Sequence, residues 1–424
     1  MFHTFVEVCG RLLQSCIRWR PGRLAWASAE LTAWLLVRAA AQGAAVILLA
    51  RILGADDYGT FVATLAMASI SASLAGLGMP SVLLRDGSRN PAELPTLLSS
   101  ALKAWRRAVL ALTAATSVIV TIALPPAGVP ALAIHAMILA EVLTVSLVEL
   151  MGRAFQARGA IRIYGAMQAG LPAVRLVALA AMWSTGHHDL PSWLAVYVAA
   201  SLGYAAGIAW YTHVRIGWRP GTRRPGTMVR EGVPFATSSV STRLQAEYNK
   251  PLLAQDSYAS AGYFNVAQRL VDLISLPMLA LQEALWPRLY GDADHCRRLL
   301  IAGATLCCMS LGAAAVVVAL APMIPVVLGE EFRSAAALMP WLALLPLLAV
   351  LRSLGNFHLI ASHRTHLLTR IYLSSSVAGI VFSSILIPRY GLAGAACASY
   401  AAEATALLTT FFLLNLRRGN NVAD

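Results

Sequence analysis

The sequence predicts an all-α integral membrane protein, with twelve transmembrane helices in two six-helix lobes that are related by a parallel pseudo-twofold repeat. Three observations support this fold class: the composition, the spacing of the apolar stretches, and a turn motif that occurs once in each half. Of the 424 residues, 58% are hydrophobic and 12% are charged, whereas soluble domains are about 25% charged. A soluble core could not bury this much apolar surface, so most of the chain is predicted to lie in lipid.

The apolar stretches have the length that a membrane requires, since a helix needs about 20 apolar residues to cross the hydrocarbon core. Twelve stretches meet this requirement, and we number them as spans 1 to 12. They cover residues 31–50, 58–78, 104–124, 130–150, 163–183, 193–212, 232–254, 261–285, 299–319, 335–357, 367–387 and 392–414.

The Lys and Arg residues in the loops and at the span ends predict the orientation. Of 27 such residues, 24 lie at one set of span ends, and only Arg51, Arg333 and Arg389 lie at the other. Cytoplasmic loops carry the excess of Lys and Arg, so both termini are predicted to be cytoplasmic. We call the arginine-rich side the basic face and the other side the opposite face.

Polar connections set the domain boundaries. Residues 214–231, with two Pro, several Gly and five Arg, form a basic linker between an N-lobe at 30–213 and a C-lobe at 232–416. Residues 1–29 carry apolar side chains at helical spacing, followed by arginines, which predicts an amphipathic arm on the cytoplasmic membrane surface. Residues 417–424 form a cytoplasmic tail.

A turn motif recurs at the same place in each half. "ILGADDYGTFVATLAMA" follows span 1, and "LLAQDSYASAGYFNVAQRL" follows span 7; each has a short turn with Asp and Tyr, then Gly and an aromatic residue. The first turn keeps Asp56 and Asp57 in water, with Asp57 as a cap of span 2. Because each half starts on the basic face, the repeat is parallel, about an axis along the membrane normal.

Four segments resemble the polysaccharide repeat-unit flippases, the Wzx-like branch of the multidrug/oligosaccharidyl-lipid/polysaccharide exporter superfamily. They are "RILGADDYGTFVATLAMASISASLAGLGMPSVLLR", "AGYFNVAQRLVDLISLPMLALQEALWPRL", "VLGEEFRSAAALMPWLAL" and "PRYGLAGAACASY", which lie in this order between about residues 30 and 415. Late in span 7 the chain departs from the family pattern, because "AEYNKPLL" has Asn249 and Lys250 where members often have an acidic residue. The resemblance therefore carries no cation-coupling role over to that position.

The resemblance implies that the protein translocates an undecaprenyl-pyrophosphate-linked oligosaccharide unit across the bacterial inner membrane, for O-antigen, capsule or exopolysaccharide synthesis. Its partners would be the bilayer, the lipid-linked unit, and a polymerase or other assembly proteins. An organic-cation antiporter of the same superfamily is a second interpretation, although it should show net acidic charge inside the spans. A membrane polymerase or ligase is a third, although the segments on the opposite face are too short to hold an acceptor.

Ionisable residues inside spans are costly and usually face a bundle interior or a watery cavity. Arg243, Glu247 and Lys250 stand at i, i+4 and i+7 on one face of span 7. The candidate pyrophosphate ligands are Arg243, Lys250, Arg38 in span 1 and Arg269 in span 8, since a guanidinium stays charged when buried and offers paired donors. The alternative is that these charges only neutralise one another between helices.

Four acidic residues within spans are candidates for charge pairing or ion coupling, namely Glu247, Asp272, Glu141 and Glu149. Three prolines within spans, Pro172, Pro277 and Pro346, are candidate kinks or gate points, since a proline bends a helix where neighbours satisfy the freed carbonyl.

No cofactor, metal or catalytic residue is expected. The segment 187–189, His-His-Asp, lies in a loop on the opposite face, and the six cysteines include no C-x-x-C pair. The sequence contains no H-E-x-x-H, G-x-S-x-G or P-loop motif, so the protein is predicted not to be an enzyme. The arginines lie in short loops between apolar stretches, which argues against nucleic-acid binding.

Overall fold

A computed structural model describes residues 23–126, 128–219, 225–278, 281–282, 295–361 and 366–415. All regular secondary structure in these ranges is helical. The predicted arm before residue 23, the middle of the linker at 220–224 and the tail at 417–424 lie outside the described residues.

The N-terminal half contains five helices that match spans 1 to 6 and one short amphipathic helix. The first helix holds two spans, because its backbone is helical on both sides of Gly54, where φ is 75°. The helices are α1 (Arg23–Ala75), α2 (Met79–Arg89), α3 (Leu94–Ala123), α4 (Ala131–Ala157), α5 (Ile161–Ser184) and α6 (Leu190–Arg215). The short helix α2 follows span 2 at the basic face.

The C-terminal half contains more breaks. Span 7 consists of α7 and α8, span 10 consists of α12 and α13 with a 40° bend between them, and the last helix holds spans 11 and 12 on either side of Gly391. The helices are α7 (Pro225–Glu247), α8 (Asn249–Asp256), α9 (Tyr258–Ile274), α10 (His295–Leu320), α11 (Ile324–Leu328), α12 (Arg333–Leu342), α13 (Leu345–Ala361) and α14 (His366–Asn415).

Spans 7 and 8 are shorter or less apolar than the other spans. Among the described residues, seven helices are long and apolar enough to cross a membrane, or eight if α12 and α13 count as one span. Two of these, 30–89 and 367–413, each contain two predicted spans joined at a glycine. Only spans 7 and 8 fall short, because α7 to α9 are short or polar. The most polar part of the membrane frame therefore lies at the start of the C-lobe.

The two lobes meet at the opposite face through the repeated turn motif. A Cβ on Gly59 would lie 1.7 Å from the carbonyl oxygen of Tyr258, and one on Gly262 would lie 2.9 Å from that of Ala55. Buried residues of both lobes form one continuous apolar core here. The motif that the sequence repeats is therefore the contact between the two lobes.

The predicted capping role of Asp57 is wrong. Helical backbone continues past Gly54 through Asp57, so there is no loop for a cap to close. The neighbouring residue forms a cap in the other lobe instead, because Asp56 Oδ1 accepts a hydrogen bond of 3.2 Å from the backbone N–H of Ala259, in the first turn of α9. Asp56 thus links the two lobes.

The lobes also meet at the basic face, between α2 and α7. Gly78 has φ 67°, and a Cβ there would lie 1.9 Å from the carbonyl oxygen of Gly232. Arg85 on α2 forms an ion pair with Glu231 on α7. The cleft between the lobes is therefore closed by backbone contact at both of its ends.

We expect cysteine labelling on a cysteine-free background to place positions 57, 188 and 330 outside the cell, and positions 89, 224 and 418 inside. The reason is the 24-to-3 asymmetry of Lys and Arg between the faces. The measurement is reaction with a membrane-impermeant maleimide before and after permeabilisation. Labelling of position 224 in intact cells would contradict the orientation with both termini in the cytoplasm.

Candidate functional site: a cationic cluster between the lobes

Span 7 breaks next to its charged residues. Helix α7 ends at Glu247 and α8 begins at Asn249. Pro251 explains the break, because proline has no N–H to donate to the carbonyl four residues earlier and its ring clashes with that carbonyl, here that of Glu247. The prediction of kinks from proline did not include Pro251, although its position in the sequence carried the signal.

Glu247 lies at the centre of the cluster. Its carboxylate accepts a short ionic hydrogen bond from Nζ of Lys250. Its other oxygen, Oε1, lies 3.4 Å from Nη2 of Arg269 and 3.5 Å from Nη1 of Arg243. One carboxylate thus holds together three cations from three helices, α7, α8 and α9.

The three cations differ in exposure, and this separates their roles. The side chain of Lys250 is 2% exposed, whereas those of Arg243 and Arg269 are 36% and 34% exposed. Lys250 is therefore the internal partner of Glu247, and only the two guanidinium groups are open to a ligand. The prediction from spacing placed Lys250 beside Arg243 on one accessible face, and the burial of Lys250 departs from it.

Arg38 faces the cluster from the N-lobe. Its Nη1 donates a hydrogen bond of 3.2 Å to Oε1 of Gln168 on α5, and its guanidinium is within electrostatic range of Arg243 and Arg269. Gln168 in turn donates to Glu149 over 2.8 Å. The N-lobe therefore presents one cation to the pair of arginines in the C-lobe.

The predicted acidic residues divide between this site and other places. Asp272, one turn after Arg269, is exposed and within electrostatic range of Arg269 and Lys250. Glu149 is paired with Arg153 at 2.7 Å, is linked to Arg38 through Gln168 and lies within electrostatic range of Arg38, so the Glu149–Arg153 pair adds no net charge to the site. Four basic residues (Arg38, Arg243, Lys250 and Arg269) and two carboxylates (Glu247 and Asp272) leave two positive charges at the site.

Glu141 is not part of the cluster. It lies inside the N-lobe, where its Oε2 accepts from Arg175 at 2.7 Å and from the hydroxyl of Tyr197 at 2.5 Å. The guanidinium of Arg175 also lies 4.2 Å from the centre of the Tyr197 ring. In this buried triad the charge of Glu141 is neutralised by that of Arg175. The two residues therefore follow the alternative interpretation, in which charges inside the spans pair with one another between helices.

The predicted prolines lie in different settings. Pro172 is inside the continuous helix α5, Pro277 lies three residues after the end of α9, and Pro346 is the second residue of α13, next to the 40° bend of span 10. Pro346 and Pro277 each stand directly after a break, since helix resumes at Leu276 after the turn at Ser275. Its role in gating stays a prediction.

Within the part of the chain that the structure describes, no group of three or more His, Cys, Asp or Glu side chains is arranged to hold a metal ion. In the loop that follows span 5, Asp189 acts as a helix cap and accepts a hydrogen bond of 2.9 Å from the backbone N–H of Ser192. That hydrogen bond holds the pKa of Asp189 below its usual value.

Two helical lobes in contact at both ends, with a charged cluster between them, define a class of two-lobe membrane transporter folds. Known structures of that class are similar to this chain over most of their length. The lipid II flippase MurJ, in an inward closed conformation, matches with a TM-score of 0.71 and 14% identity, over 90% of this chain and 87% of that one. An inward-facing multidrug resistance MATE family transporter of the MOP superfamily matches with a TM-score of 0.71 and 12% identity, over 91% and 94%.

A match to a sequence profile shows the family of the chain. The profile of a family described as "Polysaccharide biosynthesis protein" matches residues 32–290, and the chain belongs to this family. The predicted family and fold class are thereby confirmed.

A third structure is also similar in fold. A MOP superfamily transporter from Pyrococcus furiosus, whose binding pocket is described as having reverse polarity, matches with a TM-score of 0.60 and 11% identity, over 94% and 96% of the two chains. Comparison with curated protein sequences gave no match.

Proposed function

We propose that the protein carries a polyprenyl-pyrophosphate-linked oligosaccharide across the bacterial inner membrane, from the cytoplasmic to the outer leaflet, for the synthesis of a surface polysaccharide. The observation that carries this proposal is the net positive cluster formed by Arg38, Arg243, Lys250 and Arg269 around Glu247. The family to which the chain belongs and the similarity of its fold to a lipid flippase support it.

The geometry suits a compact anion. Arg243 and Arg269 each share Glu247 with other cations, at 3.5 and 3.4 Å, so neither guanidinium has a carboxylate to itself within the cluster. A pyrophosphate offers oxygens to both forks at once, and hydrogen bonds between charged groups are the strong ones. Arg38 supplies a third fork from the other lobe, so binding would draw the two lobes together.

The two junctions between the lobes suit an alternating mechanism. Gly59 and Gly262 close the opposite face, while Gly78 and Gly232 close the basic face. Backbones approach closely at a glycine in each junction, and at the opposite face a continuous apolar core of both lobes surrounds the contact. The headgroup would enter from the basic face, bind between the junctions and leave from the opposite face while the prenyl tail stays in lipid.

A cation antiporter is the second candidate, favoured by the similarity to MATE transporters. A site for organic cations requires net negative charge, because a cation is attracted to carboxylates and aromatic faces. Here two positive charges remain after Glu247 and Asp272 are counted against the four basic residues. The charge of the site therefore favours the anionic lipid.

Reconstitution tests the proposal directly. We expect liposomes that contain the purified protein to move fluorescent polyprenyl-pyrophosphoryl N-acetylglucosamine between leaflets faster than protein-free liposomes, as measured by the fraction of fluorescence that dithionite quenches. Fluorescent phosphatidylglycerol is the control lipid and should not be moved faster. Uptake of tetraphenylphosphonium without movement of the pyrophosphate lipid would contradict the proposal and support the antiporter.

A further inference from the structure

A cavity inside the C-lobe begins where the cationic cluster ends. It has a volume of about 500 Å³ and lies between spans 7, 8, 10 and 12. Gln245 and Ala246 of its wall directly precede Glu247, and Gln268 and Asp272 flank Arg269 on span 8. A ligand whose anionic group lies on Arg243 and Arg269 would have its next chemical group at the mouth of this cavity.

The lining combines polar and apolar side chains. Ten of the twenty lining residues are polar, and most of the others are aliphatic. Ligand pockets of about 300–1,000 Å³ are usually mostly apolar, with a few polar groups, and this cavity fits that description: most of its wall surface is apolar, with amides, hydroxyls and carboxylates between the apolar side chains. A sugar ring, with hydroxyls at its edge and C–H groups on its faces, matches such a mixture.

Two acceptors are available along one side of the cavity. Oε1 of Gln268 is buried and has no hydrogen-bond partner among the described residues, while Nε2 of the same side chain donates to the carbonyl oxygen of Ala246 over 3.3 Å. Asp272, one turn further on, lines the cavity and is exposed. An unsatisfied buried acceptor is costly, and a sugar hydroxyl would supply the missing donor.

The other wall is held in place by an ion pair. Arg352 binds Glu403 with both Nε and Nη2, at 2.8 and 3.3 Å, and Gln245 donates to the same carboxylate at 2.9 Å. These three side chains are hydrogen-bonded to one another, so they hold this wall of the cavity in a fixed arrangement of polar groups. Among the remaining polar lining residues, Gln268 has a buried acceptor without a partner and Asp272 lies one turn further along the same wall.

We propose that this cavity binds the first sugar or sugars of the oligosaccharide, and that Gln268 and Asp272 recognise their hydroxyl groups. The inference rests on the proposed function, because the pyrophosphate on Arg243 and Arg269 is what brings the sugar to the cavity. It adds a separate sugar subsite in one lobe, next to the headgroup site between the lobes. The protein would therefore recognise the sugar as well as the pyrophosphate headgroup of the lipid.

Binding of matched probes tests the subsite. The dissociation constants of farnesyl pyrophosphate and of farnesyl-pyrophosphoryl glucose, galactose and N-acetylglucosamine are measured on the full chain in nanodiscs of phosphatidylethanolamine and phosphatidylglycerol. We expect at least one sugar-bearing probe to bind about ten-fold or more tightly than farnesyl pyrophosphate, as one or two additional hydrogen bonds to the protein would give.

Uncharged and charge-changing variants separate the subsite from the headgroup site. Gln268→Leu should lose most of the gain from the sugar while its affinity for farnesyl pyrophosphate stays within about two-fold of wild type, because no charge changes. Asp272→Asn should also lower the gain, without weakening the binding of farnesyl pyrophosphate. The matched controls are Gln255→Leu and Asp256→Asn, since these two residues are exposed at the end of α8 and lie outside the cavity.

The outcomes distinguish the two proposals. If all four variants keep the wild-type gain from the sugar, or if wild type shows no gain with any of the three sugars, the subsite is refuted and the headgroup site stands. If farnesyl pyrophosphate itself does not bind, the proposed function fails first. Loss of the gain in Gln268→Leu alone, with both controls unchanged, supports the subsite.

Discussion

Replacing Arg243 by alanine is expected to abolish surface polysaccharide and to make the lipid-linked unit accumulate in the cell, at normal abundance of the protein. The side chain of Arg243 is 36% exposed, and it is one of two guanidinium groups in the C-lobe that a headgroup can reach. A hydrogen bond between charged groups contributes about 1.5–3 kcal/mol, which is roughly a ten- to hundred-fold loss of affinity for a single contact. For the loss of a bidentate contact, we expect a fall in affinity at the upper end of this range, near a hundred-fold.

The fold should survive this substitution. Glu247 keeps Lys250 as its direct partner and Arg269 at 3.4 Å after Arg243 is removed. Arg243→Lys should restore part of the activity, because the charge is kept while the planar fork is lost. Surface polysaccharide is measured by gel analysis of cell-surface extracts, and the accumulated unit by mass spectrometry of the lipid fraction.

Arg333 offers a matched control. Its ion pair with Glu330 has the same 3.5 Å separation as the pair of Arg243 with Glu247, but both of its side chains are well exposed at the opposite face. Arg333→Ala should therefore leave transport unchanged. Normal polysaccharide in the double variant Arg243→Ala/Arg269→Ala would refute the headgroup site, since no exposed guanidinium of the C-lobe cluster would then remain.

Replacing Lys250 by methionine is expected to destabilise the protein strongly. This differs from the replacement of Arg243, which is expected to weaken the binding of the ligand. Lys250 is one of the largest fully buried side chains, and it donates a short ionic hydrogen bond to the buried Glu247. Removing one partner of a buried pair leaves the other charge uncompensated and costs about 3–5 kcal/mol. We expect a lower thermal midpoint in detergent and less protein in the membrane.

The double variant Glu247→Gln/Lys250→Met should recover much of the lost stability, because neither side chain then carries a buried charge. Lys103→Met is the matched control: it replaces the only other lysine of the chain, which is exposed, and should leave the thermal midpoint unchanged. If Lys250→Met is as stable as Lys103→Met, Lys250 is not the internal counter-ion of Glu247. A stable Lys250→Met protein that fails to transport would instead assign the lysine to the ligand.

The residues of the cluster could be found from the sequence, but their roles could not. Charged residues in apolar stretches are visible in any sequence, and those at positions 38, 243, 247, 250, 269 and 272 come together in the fold. Glu141 was selected by the same rule, yet it belongs to a buried pair with Arg175, 34 residues away. The sequence has no signal for such a pair, because the two helices must first pack with the right rotation.

The cavity of the C-lobe was not predicted. Its selecting residue Gln268 is uncharged and so escaped a search for ionisable groups, and its importance follows from a buried oxygen without a partner. Pro251 was also missed, although it lies four residues after Glu247 and could have indicated the break of span 7.

The sequence by itself determined the membrane location, the helical class, the frame of twelve spans and the division into two repeated halves. The physical reason is that lipid satisfies no backbone hydrogen bond, so every apolar stretch of sufficient length is forced into a helix. Only the tertiary structure decided which charges meet and which of them stay exposed. Lys250 is buried against Glu247 while Arg243 on the same span stays open, and this depends on helix rotation and on contacts between residues far apart in the chain.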